Sequence, residues 1–479
     1  ATARRLAAYR GQRLCFRGLT RLSVEAAREL AAFPGELRFP RLRGLSREAA
    51  EALAAHRGPL GFAGLAAFPP DVIEALVRHE ARLDLVGITS LTPRIARALA
   101  ARKGDLSLPG LASLDAESAA ALALHEGPAL VLGGLVSLPT DVAEALAGYR
   151  GQHLDLPALT TLDSVPLARR LAERGRCLVP RLATFPPDVA AALATRNADL
   201  ALPGVIRPTV ETATALAAHR VGVLNLPGIR ELSSEVAAAL AAHEGKTLEL
   251  PGLVRLESPV LARRFASQEK CNLRSLADLT PGAALVLATR PRDLVLPGMR
   301  SLSRAVAVAL ATHEGVLSLP GLAEIDVEVA AALARHRGGG LGLHGLREID
   351  PLAATVLAEH DGPIDLNGLM LTDRLASPEV AALLVARSPN IALPNMKRFD
   401  FPEARLVAET LATTGGRLSL PKLEAVSPTT LTALLRKADV EIPDVGELEF
   451  IREPDGSAND DFVDPRPLEL RRRRRPEIP

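Results

Sequence analysis

Hydrophobic positions recur along this chain in one pattern, with a period of 23 or 24 residues. The pattern reads LxLPGLxxL, then a short variable stretch, then AxALAxHxG. Its first leucine falls, for example, at Leu83, Leu106 and Leu130, and the spacing widens to 27 residues near Ile364 and Ile391. A repeat of this length is typical of a solenoid, in which each repeat buries its apolar side against its neighbours.

Within one repeat, the segment LSLPGL at 106–111 predicts a short strand followed by a turn. Leu106 and Leu108 point one way and Ser107 the other, because side chains alternate along a strand. Pro109 has no N–H for a neighbouring strand and ends the ladder, and Gly110 permits the turn. The following segment, ESAAALALHEG at 117–127, has apolar residues at helical spacing and predicts a helix closed by glycine.

One strand, one turn and one helix per repeat predict a parallel sheet on one face and short helices on the other. The LPGL turns and the leucine spacing resemble the leucine-rich repeats, most closely the short 23-residue bacterial class in which LP ends the strand. The chain departs from the commoner repeats of that family, since Leu111 and its equivalents stand near the usual asparagine position and the helix is richer in alanine. The resemblance implies an α/β leucine-rich-repeat-like solenoid of about 19 repeats.

The pattern predicts two regions. Residues 1–448 are expected to form the solenoid, and residues 449–479, rich in Pro, Asp, Glu and Arg, a disordered charged tail. The chain opens inside the helix of a repeat, since 3–12 matches 143–152, so we expect a truncated or processed start and assign no cellular compartment. No apolar run is long enough to predict a membrane span, and the formal net charge of +1 gives no argument for nucleic acid or membrane binding.

A second level of repetition points to block copying. Residues 164–177 resemble 258–271, and 193–204 resemble 287–298, each pair 94 residues apart. The array therefore grew by copying blocks of four repeats, which favours a lengthened surface over a unique site in one repeat.

The three cysteines do not form a disulfide framework. Cys177 and Cys271 occupy the inward leucine position of the strand and are predicted to be buried and unpaired. Cys15 occupies an outward position and is predicted to be an accessible thiol.

Eight of the ten histidines occupy one position of the repeat, and they are His56, His79, His125, His219, His243, His313, His336 and His360. The last three stand in consecutive repeats, so a metal-binding column is one hypothesis. The other is structural: a histidine in the last helical turn can bond free carbonyl groups. Tyr149 and Thr413 at comparable positions favour the structural hypothesis, and no metal is predicted.

The outward strand positions are the surface that a solenoid ordinarily uses for binding. The polar residues chosen from it as candidate partner-binding residues are Asp84, Asp155, Asn225, Glu249, Asn272 and Asp365. No aromatic side chain and one basic side chain, Arg38, occur in this strip, although interface hot spots are rich in Trp, Tyr and Arg. A sheet face that is only solvated remains the alternative.

The tail supplies the other candidates, a run of five basic residues: Arg471, Arg472, Arg473, Arg474 and Arg475. Such a run can contact nucleic acid, anionic lipid or an acidic protein groove. It is also compatible with a merely solvated tail. Nucleic acid is predicted as a partner only through this run.

No catalytic constellation is found: the chain has no GxxxxGK[ST], GxSxG, HExxH or CxxC motif, and no cofactor is predicted. We therefore expect a non-enzymatic scaffold that presents an extended surface to another macromolecule, a protein by preference. The alternatives are a structural or envelope-associated spacer that assembles with copies of itself, and the repeat part of a longer enzyme. The sequence does not indicate an oligomeric state.

Overall fold

The computed structural model describes residues 11–62, 69–81, 83–173, 179–371 and 377–451, together with Ala3, Tyr9 and Leu375, and excludes the side chain of Asp84. The chain divides into two compact bodies. We call residues Ala1–Leu250 the amino-terminal body and residues Pro251–Pro479 the carboxyl-terminal body.

The amino-terminal body contains short parallel strands in chain order. They are β1 (Arg13–Cys15), β2 (Glu36–Phe39), β3 (Leu60–Phe62), β4 (Leu83–Asp84), β5 (Leu106–Ser107), β6 (Ala129–Val131), β7 (His153–Asp155), β8 (Leu200–Ala201), β9 (Val223–Asn225) and β10 (Thr247–Glu249). The first seven form one sheet and the last three another. Between them lies one repeat whose strand position, 177–178, is outside the described residues.

Each of these strands is followed by a helix, except where the described residues are interrupted. The helices are Val24–Ala31, Arg47–Ala54, Pro70–Leu76, Pro93–Ala100, Ala116–Ala123, Thr140–Ala147, Val165–Glu173, Pro187–Ala194, Val210–Ala217 and Ser234–Ala241. Short side chains cap many of them: Ser46 accepts from the Ala49 N–H at 3.2 Å, and Asp115 from the Ser118 N–H at 2.8 Å. Such caps satisfy N–H groups that the first helical turn leaves unbonded.

The carboxyl-terminal body repeats the arrangement with more strands. They are β11 (Arg255–Leu256), β12 (Asp278–Leu279), β13 (Leu294–Val295), β14 (Val316–Ser318), β15 (Gly340–Gly342), β16 (Ile364–Asp365), β17 (Ile391–Ala392), β18 (Arg398–Phe399), β19 (Leu418–Ser419), β20 (Ala425–Val426), β21 (Val440–Glu441) and β22 (Glu449–Phe450). Its helices are Pro259–Ser267, Pro281–Ala288, Arg304–Leu310, Val327–Leu333, Pro351–Leu357, Asn367–Met370, Pro378–Arg387, Ala404–Leu411 and Pro428–Leu435, with a 3₁₀ turn at Val445–Glu447. Strands β13–β16 form one sheet, and β17, β19 and β21 another.

The leucines of the pattern build the core of both bodies. Leu37 pairs with Leu60 between adjacent parallel strands, and Leu317 pairs with Leu341 in the carboxyl-terminal body. These leucines are at most 2% exposed, because each lies between its own helix and the strands on either side. Both bodies are α/β solenoids of the leucine-rich-repeat type, as predicted.

A second ladder that the sequence did not predict runs beside the first. In the carboxyl-terminal body β11 pairs with β12, and β18, β20 and β22 form a separate parallel sheet. In the amino-terminal body the same place is marked by single bridges, such as Arg21 with Gly44. The ladder lies just before each helix. It includes Glu449 and Phe450, residues that the sequence pattern assigns to the tail.

Two local predictions need correction. The helix predicted at 117–127 is Ala116–Ala123, so it ends before His125 and Gly127. Gly110 does not have a positive φ; its lack of a side chain is required because an added Cβ would overlap the Val86 carbonyl oxygen of the preceding repeat. Glycine serves the stacking of turns here and not an unusual backbone conformation.

Candidate functional site

A three-residue strand presents two outward side chains, so the strand face has two rows. In β1, Arg13 and Cys15 flank the inward Leu14, and they stand in register with Glu36 and Arg38 of β2. We call the two rows together the strand face. The candidates predicted from the sequence all come from the second row, which runs through Cys15 and Arg38.

Four candidates belong to the amino-terminal body. Asp84 ends β4, with its side chain outside the described structure, and Asp155 ends β7 and is half-buried. Asn225 and Glu249 are direct register partners in β9 and β10, and both are half-buried. The structure therefore brings Asn225 and Glu249 together.

Asn225 carries the most informative single atom of this face. Its Oδ1 is buried, and among the described residues it has no hydrogen-bond partner. A buried acceptor without a donor is costly, since it has lost its contact with water and gained nothing in exchange. With the Glu249 carboxylate on the adjacent strand, this part of the face offers acceptors to an incoming N–H donor.

In the carboxyl-terminal body the prediction for Asn272 is wrong in one respect. Asn272 is half-buried in a segment, 271–277, that forms no strand, so it is not an outward strand residue. The helix before it, Pro259–Ser267, ends in a cap residue, Gln268, with extended backbone (φ −85°, ψ 155°).

Asp365 is exposed at the end of β16, as predicted. Its Oδ2 lies 3.7 Å from Nδ1 of His344, and its Oδ1 accepts from the Asn367 N–H at 3.1 Å. Glu441, in the same row, is engaged by Arg417 at 3.1 Å and by the Ser419 hydroxyl at 2.6 Å. Much of the charge in this body is thus already satisfied within it.

The tail candidates Arg471 to Arg475 lie outside the described residues.

The position that holds the histidines forms a second organised feature, which we call the helix-end column. In the amino-terminal body it consists of Phe33, His56, His79, Arg102, His125, Tyr149, Arg196, His219 and His243, all of them less than 9% exposed. In the carboxyl-terminal body it comprises Gln268, Arg290, His313, His336, His360, Arg387, Thr414 and Lys437, most of them buried. Its members follow the ends of the helices.

The Nδ1 bonds of the column histidines reach back one repeat, whereas Nε2 of His336 lies 3.1 Å from the Gly340 carbonyl, four residues later. Nδ1 of His125 lies 3.2 Å from the Ala100 carbonyl, and Nδ1 of His219 lies 3.0 Å from the Ala194 carbonyl. In the carboxyl-terminal body Nδ1 of His313 lies 2.9 Å from the Ala288 carbonyl. These carbonyls end the preceding helix, where the last turn leaves them without a helical partner. The predicted carbonyl-bonding role is confirmed, with the correction that the carbonyl belongs to the neighbouring repeat.

Other residue types serve the same carbonyl-bonding role. The Tyr149 hydroxyl donates to the Gly127 carbonyl at 2.8 Å, and Arg290 donates to the carbonyls of Phe265 at 3.0 Å and Gln268 at 2.8 Å. Thr414, not Thr413, is the buried equivalent, and it donates to the Pro389 carbonyl at 3.1 Å. The common requirement is a donor with enough reach and not an imidazole.

Glycine two residues after the column member makes room for its ring. A Cβ added at Gly245 would lie 2.6 Å from both the His219 carbonyl oxygen and Cε1 of His243. The same holds for the equivalent glycines 127 and 338. The HxG element of the repeat is therefore a packing motif between consecutive repeats and does not end the helix.

Burial favours the neutral form of four of these histidines. It lowers the pKa of His56, His79, His125 and His360 below the ordinary value of 6.5, and for His79 the nearby Arg102 lowers the pKa further. Burial also raises the pKa of Tyr149 to about 12. A neutral imidazole that donates from Nδ1 suits a helix end without requiring a buried charge.

The column does not resemble a metal centre. Consecutive rings stack in parallel with centroids 6.3 Å apart for His313 and His336 and 5.9 Å for His336 and His360. No group of three or more His, Cys, Asp or Glu with metal-site geometry is found in the part of the chain that the structure describes. Stacking spreads the ring nitrogens along the column, whereas a metal requires them to converge.

The cysteines can be compared at two of three positions. Cys15 is an exposed free thiol, as predicted. Cys271 is also unpaired but is half-buried and off the strand, and burial raises its pKa to about 11. Cys177 lies outside the described residues.

One charged surface was missed because the whole-chain charge conceals it. Residues 11–47 contain eight arginines and three glutamates, although the net charge of the chain is +1. Four of these arginines, Arg17, Arg21, Arg41 and Arg43, are exposed in the turns after β1 and β2, and we call them the arginine surface. Counting charge in windows of one or two repeats would have found them.

Among the described residues no helix has the length and apolar character needed to cross a membrane. No family model matches the chain, and no curated protein matches it. Among solved structures it is similar to Toll in the Drosophila Toll–Spatzle complex, with 13% identity and a TM-score of 0.37 over 85% of this chain. The glycosylated form of the same complex is similar with 12% identity and a TM-score of 0.43, over 93% of this chain.

The chain spans 55% and 62% of those two Toll chains. A TLR13–ssRNA13 complex is similar at 13% identity and a TM-score of 0.33, over 90% of this chain and 72% of that one. Likeness at this level does not extend to function, so the functional argument rests on the residues of this chain.

Proposed function

We propose that the chain is a non-enzymatic repeat scaffold whose strand face binds another protein. The observation that carries the proposal is the direct pairing of Asn225 with Glu249, two half-buried polar side chains on adjacent strands of the strand face. A partner that supplies N–H donors would bond the Glu249 carboxylate, and the Asn225 amide beside it can both donate and accept. The two residues are held on rigid strands, so little ordering is needed on binding.

The contrast between inward and outward positions supports the same function. Leucine fills almost every inward position, whereas the outward row of the amino-terminal body includes Cys15, Arg38, Gly61, Ser107 and Val131. A face without a packing requirement can vary in chemistry along its length, as recognition of a particular partner requires. From the LP turns and the 23-residue spacing we also propose that the repeats belong to the short bacterial class of leucine-rich repeats.

The test uses two charge-matched variants of the full chain in affinity capture. Asn225→Arg combined with Glu249→Arg changes the strand face. Glu211→Arg combined with Ala238→Arg adds the same charge at exposed positions of the two helices that directly precede those strands. We expect the strand variant to lose the partners that the unmodified chain captures and the helix variant to keep them. Loss through the helix variant alone, or equal retention by both, would contradict the proposal.

A further inference from the structure

The backbone brings the four members of the arginine surface together. Arg17 follows β1 and Arg41 follows β2, and these strands are direct neighbours. The Arg43 N–H donates to the Thr20 carbonyl at 3.0 Å, and Arg21 pairs with Gly44 in a parallel bridge. Because adjacent parallel strands lie about 4.8 Å apart, the four guanidinium groups originate from one small area.

No carboxylate neutralises this area within the described structure. Arg17, Arg21, Arg41 and Arg43 are all exposed, and none has an ion pair or hydrogen-bonded side-chain partner among the described residues. Two nearby arginines behave differently. Arg13 lies 2.6 Å from Glu36, and Arg38 bonds the other oxygen of the same carboxylate. Burial alone would raise the pKa of Glu36, but hydrogen bonds from Arg38 and Arg13 hold the pKa below its ordinary value.

Glu36 shows how two other arginines of the same repeats, Arg13 and Arg38, hold a carboxylate. Arg17 and Arg41 of the arginine surface line a shallow depression of about 510 Å³ together with Gly18 and Pro40. A Cβ added at Gly18 or at Gly44 would meet no atom within 4 Å, so the protein surface between the arginines is accessible. An incoming group can approach the guanidinium groups without displacing protein atoms.

We propose that the arginine surface binds an acidic polypeptide segment, one that presents several Asp or Glu carboxylates in a short stretch. Guanidinium groups match carboxylates in a planar, two-point geometry that lysine cannot provide. Four unpaired arginines in two adjacent repeats suit a few carboxylates and not a long polyanion. The surface is separate from the strand-face site at Asn225, and the proposal stands whether or not that site binds a protein.

Two observations favour a polypeptide over nucleic acid. The aromatic rings nearest the surface are committed to packing: Phe16 stacks on Phe39 at 5.2 Å, and Phe39 on Phe62 at 5.5 Å. They leave no exposed ring in these turns for base stacking, on which single-strand binding depends. A long polyanion would also pass over the acidic Asp155 and Glu249 further along the same body.

The probe is a fluorescein-labelled oligoglutamate peptide, titrated with the full chain and followed by fluorescence anisotropy. One test variant is Arg21→Gln with Arg43→Gln, and the other is Arg17→Gln with Arg41→Gln. The matched control is Arg207→Gln with Arg230→Gln. These two exposed arginines occupy the same repeat positions as Arg21 and Arg43 in later repeats of the same body, without belonging to the cluster.

We expect each test pair to weaken binding about tenfold at low salt, equivalent to about 1.4 kcal/mol. The control pair should change affinity less than about twofold, and raising the salt should weaken binding of the unmodified chain, since exposed ion pairs are screened. Asn225→Arg with Glu249→Arg, which adds positive charge, should not weaken oligoglutamate binding, and this separates the site from the strand-face proposal. Equal loss in test and control pairs would overturn the proposal. A labelled oligothymidylate that bound more tightly than oligoglutamate would assign the surface to nucleic acid instead.

Discussion

The helix-end column and the strand face belong to the same repeats, but packing between repeats restricts the residue types of the column far more than those of the strand face. The column residue His243 is buried, its Nδ1 lies 3.1 Å from the Ala217 carbonyl of the preceding repeat, and Gly245 two residues on leaves room for its ring. An outward strand side chain such as Val131 or Ser318 meets no such requirement. Repeat positions whose residue types recur therefore serve the stacking of repeats. Positions whose residue types vary form the surface on which we expect a partner to bind.

The largest expected effect is acid destabilisation of the column. The folded pKa of His56, His79, His125 and His360 lies below the unfolded value near 6.5, so the unfolded chain takes up these protons first. Stability is fully present above pH 6.5 and falls below it, by up to about 1.4 kcal/mol per pH unit for each histidine. Thermal melts from pH 7 to pH 5 should show a steep fall in Tm.

A substitution locates that effect in the column. His125→Gln removes the titrating group, and Gln268 shows that glutamine is accepted at the same position in the carboxyl-terminal body, where it is 4% exposed. This variant should have a shallower acid slope than the unmodified chain. An identical slope in both proteins would remove His125 as a source of the acid effect.

The next effect tests the space that glycine provides. Gly245→Ala places a Cβ 2.6 Å from the His219 carbonyl oxygen and should lower the free energy of unfolding by about 2–3 kcal/mol, because backbone cannot yield cheaply. Gly44→Ala, where a Cβ meets nothing within 4 Å, should change it by no more than about 0.5 kcal/mol. Urea midpoints of the two variants would measure the difference, and similar midpoints would argue against the packing role of HxG.

A smaller loss is expected when one column donor is removed. Tyr149→Phe keeps the ring but leaves the Gly127 carbonyl without its 2.8 Å bond from the hydroxyl. A buried acceptor that loses its donor costs about 1–2 kcal/mol. Urea denaturation near neutral pH measures this loss, because Tyr149 with its pKa of about 12 does not ionise there.

The smallest effect belongs to the strand face. Glu441→Gln weakens its contacts with Arg417 and Ser419, but these groups are exposed or half-buried, and such pairs contribute at most about 1 kcal/mol. We expect a change of less than about 0.5 kcal/mol in the free energy of unfolding, measured as for Tyr149→Phe. A loss as large as that of the column variant would show that the face is constrained by stability too.

Much of the fold was predictable because its causes are local. Alternation identified Leu106 and Leu108 as inward residues, and proline marked the turn after them. The caps that the structure shows at Ser46 and Asp115 are also local, since each accepts from an N–H three residues later. Each of these signals acts within a few residues of the place it controls.

The remainder depends on contacts about one repeat apart. His125 bonds the Ala100 carbonyl, 25 positions earlier, and the residues next to His125 in the sequence do not predict that contact. Cys271 fits the leucine position of the pattern, yet residues 271–277 form no strand. The arginine surface joins Arg17 to Arg41 only because their strands are neighbours, and a count over the whole chain hides it.

The bonds from column side chains to carbonyl groups of the preceding repeat make the contact between consecutive repeats directional. A donor on one repeat meets an acceptor on the one before it, so the contact is heterologous and can be propagated without closing on itself. In a copied block of repeats, the side-chain donors of the first repeat bond the carbonyl groups of the repeat before the block. The carbonyl groups of the last repeat are then available to the donors of the repeat that follows. The 94-residue duplications in this chain could therefore be inserted without redesigning any interface.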